Sequence, residues 1–179
     1  MSLLRLLALS ALALAAGCQS IPEAPRATAV LQPTTGSTVQ GTVQFIQTAG
    51  KVLVRARVTG LRPNAEFGFH IHEAGDCSSG DGMSAKGHFN PFGKPHAHAG
   101  TTERHAGDLP SLKSDAGGNA DLTADVDVIT VVEGPASIVG RGLIVHAQPD
   151  DFRTQPTGNA GARSACAVIR RASPFLRGA

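Results

Sequence analysis

The chain has 179 residues and carries 16 basic and 14 acidic side chains, so its formal net charge is +2 at pH 7. Its length suits one domain with appended segments. The lysine and arginine residues are scattered and form no basic stripe, which argues against a nucleic-acid-binding protein.

The N-terminal segment has the features of a secretory signal. Arg5 precedes an apolar run that contains no acidic residue and closes in small residues before Cys18. This run is short for a membrane span, so residues 1–17 are predicted to be a signal peptide. A buried N-terminal helix is the alternative. No later segment is long and apolar enough to cross a bilayer, and we expect a soluble mature protein.

Cys18 closes the sequence LAAGC, which resembles the cleavage box of bacterial lipoproteins. In those proteins the cysteine is lipidated and becomes the new N-terminus, and its several acyl chains give stable anchoring. Ala15 stands where the box prefers a large aliphatic residue, so cleavage near the alanine-rich segment without lipidation is the alternative. The resemblance implies a protein of the periplasm or cell envelope that contacts a membrane only through Cys18.

Residues 18–37 are rich in proline, serine and threonine and lack a sustained hydrophobic period. This composition predicts a lipid-anchored or flexible tether ahead of a folded domain. The domain is then expected over residues 38–172, with a C-terminal tail at residues 173–179.

The domain carries alternating apolar and polar residues, which is the pattern of half-buried β-strands. VQFIQ and KVLVRARV alternate on either side of Ala49-Gly50, as is typical of a hairpin. Three further stretches of strand character cover residues 121–128, 142–147 and 165–170. With 21 glycines, 11 prolines and no helical stripe, the chain is predicted to form an antiparallel sandwich or barrel.

One long connection, residues 74–114, carries almost no strand pattern. Loops of this length are uncommon in compact domains and usually serve a function. Its Cys77 and the later Cys166 make an even pair once Cys18 is set aside, and an even pair in an exported protein predicts a disulfide.

Imidazole groups are concentrated in and around this connection. His70 and His72 are separated by one residue, so in a strand both point to the same face. Clustered neutral imidazoles suit zinc and copper(II), whereas calcium and magnesium prefer oxygen ligands. A solvated or hydrogen-bonded side chain is the alternative for any single histidine. The set as a whole favours a metal site, because the chain is only 17% charged, has no tyrosine or tryptophan and carries seven histidines: His70, His72, His88, His96, His98, His105 and His146.

Five segments resemble, in the same order, the signature segments of the copper/zinc superoxide dismutases. They read GFHIHEAGDC, GHFNP, ERHAGDLP, IVHAQPDD and GNAGARSACAVI, and the resemblance runs from about Gly41 to Arg170. It implies an eight-stranded antiparallel Greek-key β-barrel, an immunoglobulin-like sandwich with two long functional loops over the site. It also implies one copper and one zinc per subunit, and dismutation of superoxide to oxygen and hydrogen peroxide.

The resemblance assigns roles to individual residues as well. It implies copper ligands at His70, His72, His88 and His146, and zinc ligands at His88, His96, His105 and Asp108. His88 would bridge the two metals, which a ring with two nitrogens allows, and would take a proton during turnover. The remaining assignments are a carboxylate linking a copper histidine to a zinc histidine at Asp150, an arginine that attracts and orients superoxide at Arg163, and a disulfide between Cys77 and Cys166.

The segment KPHAHAG offers two histidines, His96 and His98, that an extended chain would direct toward the same metal. The residues alone do not choose between them. The family's spacing from the bridging histidine selects His96, which lies eight residues after His88.

Two features depart from the eukaryotic members of this family. The segment after Asp151 is shorter and its charged residues have no clear counterparts, so Lys86, Lys94 and Arg153 are candidates for steering superoxide. The eukaryotic dimer surface cannot be assumed either, and both a monomer and a homodimer remain open.

Two other functions remain as alternatives. A periplasmic copper or zinc buffer on the same scaffold would bind metal without useful turnover, but such a relative is expected to lose a copper histidine or the arginine, and Arg163 is present. A cupin-type metal enzyme also places H-x-H on a β-barrel. It requires a glutamate some residues beyond the pair, whereas Glu73 follows His72 directly and would point to the opposite face. The sequence therefore favours protection of the cell envelope by superoxide dismutation.

Overall fold

The computed structural model describes residues 23–172 of the chain, and the predicted signal peptide, Cys18 and the C-terminal tail lie outside the described residues. No helix in this span is long and apolar enough to cross a membrane. The span is nearly all β, with a single 3-10 turn at Met83–Ala85. Its ten strands are β1 (Arg26–Pro33), β2 (Gln40–Thr48), β3 (Lys51–Thr59), β4 (Glu66–Phe67), β5 (Phe69–His72), β6 (Leu112–Lys113), β7 (Ala120–Val126), β8 (Gly142–His146), β9 (Arg163–Val168) and β10 (Arg170–Arg171).

Eight strands form one antiparallel sheet in the order β5-β8-β9-β1-β2-β3-β7, with β10 also paired to β1. The remaining two, β4 and β6, form a small antiparallel sheet. The chain runs through β1, β2 and β3 as neighbours and then crosses repeatedly between the two edges, which is a Greek-key connection. The large sheet curls into a half-barrel, so the predicted antiparallel all-β fold is confirmed.

The prediction of a tether over residues 18–37 is wrong for the part that forms β1. Residues 26–33 form β1, which pairs with β2 on one side and with β9 and β10 on the other. Ala27, Ala29 and Leu31 point into the core while the residues between them face solvent. Two of the three inward side chains are alanines, which are only weakly hydrophobic. The alternation of apolar and polar residues in β1 therefore gives little signal in the sequence. The folded domain therefore begins before residue 38.

The predicted hairpin is confirmed by the pairing of β2 with β3. Thr48 lies opposite Lys51 across Ala49-Gly50, and Gly50 adopts φ 74°, a left-handed conformation that glycine takes without steric penalty. Alternate residues of both strands enter the core, and β3 pairs along its length with β7. The core side chains of these three strands include Val43, Phe45, Val52, Val54, Ala56, Val58, Ala120 and Val126.

Strands β5 and β8 are buried on both faces and form the base of the site. Phe69 and Ile71 of β5 join the core, so the residues between and after them point outward, under the long loop. A disulfide between Cys77 and Cys166 ties that loop to β9, with an S–S distance of 2.02 Å. The predicted cysteine pair is therefore confirmed. It lies on a small apolar cluster with Ala85 and Ile144.

Candidate metal centre

Backbone pairing brings the long loop against the outer edge of β5. The N–H of Phe89 donates to the carbonyl of Ile71 at 2.8 Å, and the N–H of Ile71 donates to the carbonyl of Gly107 at 2.9 Å. A Cβ atom at Gly107 would collide with the carbonyl oxygen of Ile71, so this close approach requires glycine. These bonds place the loop histidine His88 opposite His72, and Asp108 opposite His70.

The first cluster consists of four buried histidines, His70, His72, His88 and His146. Two come from β5, one from β8 and one from the loop. Each ring offers one nitrogen, and these atoms all lie within 4.8 Å of one another. The converging atoms include four buried nitrogens without a hydrogen-bond partner among the described residues: Nδ1 of His70 and Nε2 of His72, His88 and His146.

The outward nitrogens of these rings are held by hydrogen bonds. Nε2 of His70 lies 2.7 Å from Oδ2 of Asp150, and Nδ1 of His72 lies 2.8 Å from the carbonyl oxygen of Lys86. Nδ1 of His146 is 3.3 Å from the carbonyl oxygen of Gly161. Since a neutral ring that donates from one nitrogen carries a lone pair on the other, these bonds leave the inward nitrogens as acceptors. Together with Nε2 of His88, these make four buried nitrogens without a partner among the described residues, which is costly alone and fits a metal that takes four nitrogens.

The second cluster contains three histidines and one carboxylate: His88, His96, His105 and Asp108. Oδ1 of Asp108 lies 2.9 Å from Nδ1 of His88, 3.0 Å from Nδ1 of His96 and 3.5 Å from Nδ1 of His105. The other oxygen accepts the backbone N–H groups of Ala97 and His105, each at 3.1 Å, which fixes the carboxylate plane. Three imidazoles and a carboxylate match a closed tetrahedral zinc site.

Two residues connect the clusters. His88 belongs to both, with Nε2 in the first and Nδ1 in the second. Asp150 forms the second connection, because its Oδ1 lies 2.9 Å from Nε2 of His96 while its Oδ2 bonds His70. Gly158 packs directly on this bridge, and a Cβ atom there would collide with Oδ1 of Asp150. No side chain fits at that position.

Burial sets the charge state of the first cluster. Desolvation, followed by the fields of neighbouring imidazoles, lowers the pKa of His72 well below its usual value and does the same for His146. Burial likewise lowers the pKa of His88 to about 4. These three rings are therefore neutral at neutral pH, which is the form that binds metal.

The carboxylates control the charge of the second cluster. Burial would raise the pKa of Asp108 and of Asp150, but hydrogen bonds from histidines hold both well below the usual range. For His96, burial acts to lower the pKa, and the hydrogen bonds to Asp108 and Asp150 outweigh it and raise the pKa to about 9. Without metal, this ring is protonated on both nitrogens at neutral pH, with Nδ1 facing Asp108 and Nε2 facing Asp150. His96 would release one of these protons on binding a zinc ion.

His98 lies apart from both clusters. Its side chain is exposed, its Nδ1 accepts the backbone N–H of Gly100 at 3.0 Å, and its ring contacts that of Phe152 edge-on with centroids 4.8 Å apart. His96, in contrast, is 2% exposed. The structure thus brings together all the predicted ligand histidines and leaves out the one that the family spacing excluded.

Arg163 lies at the rim of the first cluster and is held by the loop. Its two terminal nitrogens donate to the carbonyl oxygens of Gly82 and Lys86. The Lys86 carbonyl also faces Nδ1 of His72, so the guanidinium and this ring share one backbone anchor. Sequence reasoning found the arginine and missed the anchor, because a backbone carbonyl has no side-chain signature.

A model of the family described as copper/zinc superoxide dismutase matches residues 39–169. The chain belongs to the copper/zinc superoxide dismutase family. The matched span contains both clusters, Asp150 and Arg163. The chain is accordingly an oxidoreductase that dismutates superoxide and uses copper and zinc.

Relatives are spread over distant organisms. The chain is 42% identical over 136 residues to a protein named "Superoxide dismutase [Cu-Zn] 2" of Aquifex aeolicus, with 74% of this chain and 80% of the relative covered. A copper/zinc superoxide dismutase of Candida glabrata is 40% identical over 150 residues, covering 80% of this chain and 96% of the relative. Among solved structures, one described as the clock protein EA4 superposes with a TM-score of 0.76 at 38% identity, covering 86% of this chain and 99% of that one.

Proposed function

We propose that the first cluster holds the copper and the second cluster the zinc of this enzyme. The observation that carries the assignment is the convergence of four buried ring nitrogens that have no hydrogen-bond partner within residues 23–172, one each from His70, His72, His88 and His146. An all-nitrogen site suits copper(II), while the closed set of His88, His96, His105 and Asp108 suits zinc. Seven residues supply eight ligand atoms because His88 uses both ring nitrogens.

The bound copper supplies one-electron chemistry, and the zinc is redox-inert. Of the chain's own residues, His88 is suited to hold and deliver a proton, because its Nε2 faces the copper side while Nδ1 stays engaged beside Asp108. Asp150 orients His70 and His96 by accepting a hydrogen bond from each ring. The protein would thereby fix the orientation of its ligand rings and offer one proton site, Nε2 of His88, in the first cluster.

Arg163 is proposed to attract and orient the superoxide anion. Its guanidinium is fixed by two carbonyl oxygens and keeps its charge at all relevant pH values. Among the candidate steering residues, Lys94 forms a 2.6 Å ion pair with Glu103, which offsets its charge. Lys86 and Arg153 form no ion pair within residues 23–172 and are the stronger candidates for long-range attraction.

We further propose that the enzyme protects the cell envelope after export and lipidation at Cys18. The N-terminal signal and the LAAGC box support this location. Cell fractionation of wild type and Cys18→Ala tests it, since the variant is expected to leave the membrane pellet. A wild-type protein that is soluble and starts at another residue would show that the lipid anchor is wrong. Both a monomer and a homodimer are compatible with the proposal.

The decisive experiment compares metal content with superoxide consumption before and after removal of copper. We expect rapid consumption with both metals and background consumption after copper alone is removed. Activity that survives complete copper removal would contradict the copper assignment. Full loading without any activity would instead favour the alternative of a periplasmic copper/zinc-binding module.

A further inference from the structure

We propose that Gln155 is a positioning residue for zinc, because its side-chain amide holds the backbone of His96 in the loop. This inference rests on the proposed assignment of the second cluster to zinc. Gln155 lies on the short segment that follows Asp150, and the family resemblance gives it no role.

The contact is reciprocal. Oε1 of Gln155 accepts the backbone N–H of His96 at 2.8 Å, and Nε2 of Gln155 donates to the backbone carbonyl of the same residue at 2.8 Å. Only one orientation of the amide satisfies both groups, so the donor and acceptor assignment follows from the chemistry. The side chain acts on His96 as a neighbouring strand would act in a sheet.

His96 requires such a partner because its segment pairs with no strand in the part of the chain that the structure describes. Within residues 23–172 its backbone N–H and C=O make no hydrogen bond to main-chain atoms. The neighbouring backbone is also held by side chains: Asn90 bonds both the N–H and the C=O of Lys94, at 2.9 and 2.8 Å, and Asp108 accepts the N–H of Ala97. Asn90 and Asp108 lie in the same long loop as His96. Gln155 differs from them because it lies in the loop between β8 and β9.

The same segment also holds the His96 ring. Asp150 accepts Nε2 of His96, and Gly158 closes over that bond. Ring and backbone are therefore fixed from one stretch of nine residues, 150–158, and the direction of Nδ1 toward Asp108 follows from both contacts. Residues that support metal ligands from behind typically contribute about 10- to 100-fold to metal affinity. Gln155 is exposed, so water competes for its partners and we expect about tenfold, the lower end of that range.

The experiment measures zinc and copper dissociation constants of the full chain by chelator competition for wild type, Gln155→Ala and Gln155→Glu. Alanine removes both contacts, whereas glutamate keeps the acceptor and loses the donor. Both variants are expected to bind zinc more weakly, alanine by about tenfold, while copper affinity stays at the wild-type value. Gln44→Ala is the matched control, because Gln44 is exposed on β2 and its side chain makes no hydrogen bond within residues 23–172.

The visible spectrum of cobalt(II) in the zinc site provides a readout that a purely structural role leaves unchanged. A displaced His96 alters the ligand field, so Gln155→Ala is expected to shift the cobalt bands. Wild-type zinc affinity and cobalt bands in this variant would overturn the positioning role, including when its unfolding free energy is reduced. A wild-type protein that takes up no zinc would overturn the zinc assignment and the positioning role together.

Discussion

His70 and His96 lie in different donor clusters, yet their Nε2 atoms contact the two oxygens of a single carboxylate, that of Asp150, at 2.7 and 2.9 Å. The side chain of Asp150 is 2% exposed, so water does not replace it readily. This connection lies behind the ligands and is independent of His88. Both candidate metal sites therefore share one supporting carboxylate, which belongs to neither donor cluster.

Replacing Asp150 by asparagine is expected to weaken both metal sites. The amide keeps the shape of the carboxylate but loses its charge and one acceptor, so one ring loses its hydrogen bond and the other keeps only a weaker bond to a neutral oxygen. We expect affinities for copper and zinc to fall by about 10- to 100-fold, measured by competition titration. Asp125→Asn is the control, because Asp125 is exposed on β7 and forms no ion pair within the described span. Loss of only one metal would contradict the shared role.

His96→Ala and His98→Ala are expected to differ sharply in zinc binding. His96 is buried beside Asp108, and its removal leaves a four-ligand site with an open position. His98 faces solvent and contacts Phe152, so its removal should leave zinc content and unfolding free energy nearly unchanged. Zinc titration of both variants decides the matter. A larger loss of affinity in His98→Ala would show that the wrong histidine was assigned.

Arg163→Ala is expected to lower the rate of superoxide consumption and flatten its dependence on salt. The reason is the loss of a fixed positive charge near the copper cluster, since electrostatic attraction of an anion weakens as ionic strength rises. Copper should stay bound, because the carbonyl of Lys86 still faces His72. Arg55→Ala serves as the control, since Arg55 is exposed on β3. A rate equal to that of the wild type would show that Arg163 does not attract superoxide.

Removing the disulfide is expected to destabilise the chain. The bond closes a loop with a sequence separation of 89 residues, for which the chain-entropy relation gives roughly 4–5 kcal/mol of unfolding free energy. Thermal unfolding with and without reductant measures this difference. The variant carrying Cys77→Ser and Cys166→Ser provides the control, because reductant should have no further effect on it. Equal melting temperatures for oxidised and reduced wild type would count against the expected contribution.

The metal-free protein is expected to lose stability as pH falls below about 6.5, the unperturbed histidine value. Burial lowers the folded-state pKa of His72, His88 and His146, in the case of His88 to about 4, so the unfolded chain binds protons first. The raised pKa of His96 has the opposite sign, and its stabilising contribution is complete below 6.5 and lost toward 9. The contribution of His96 therefore does not offset the loss of stability below pH 6.5. Urea unfolding of the metal-free chain at pH 7 and pH 4.5 checks this, and equal stabilities would contradict it.

The sequence predicted those elements whose side chains alternate strongly. The β2–β3 hairpin and β7 carry large inward residues opposite polar ones, and both form as expected. Strand β1 was missed because alanine gives little contrast, and β4 and β6 have two residues each, too few to show a period. At the site, side-chain ligands were found through the family segments. The Gln155 contact and the Lys86 carbonyl were not, because the first is made to the backbone of His96 and the second by a backbone atom, and backbone atoms carry no sequence signal.

The position of β1 also limits how far the enzyme extends from a membrane. Its first residue, Arg26, follows Cys18 by eight positions, and eight residues span at most about 26–29 Å when fully extended. If Cys18 carries the lipid, the segment that connects it to β1 is no longer than the thickness of one bilayer core. The folded domain would then stay in the layer next to the lipid headgroups, and its two donor clusters would meet superoxide close to the membrane surface.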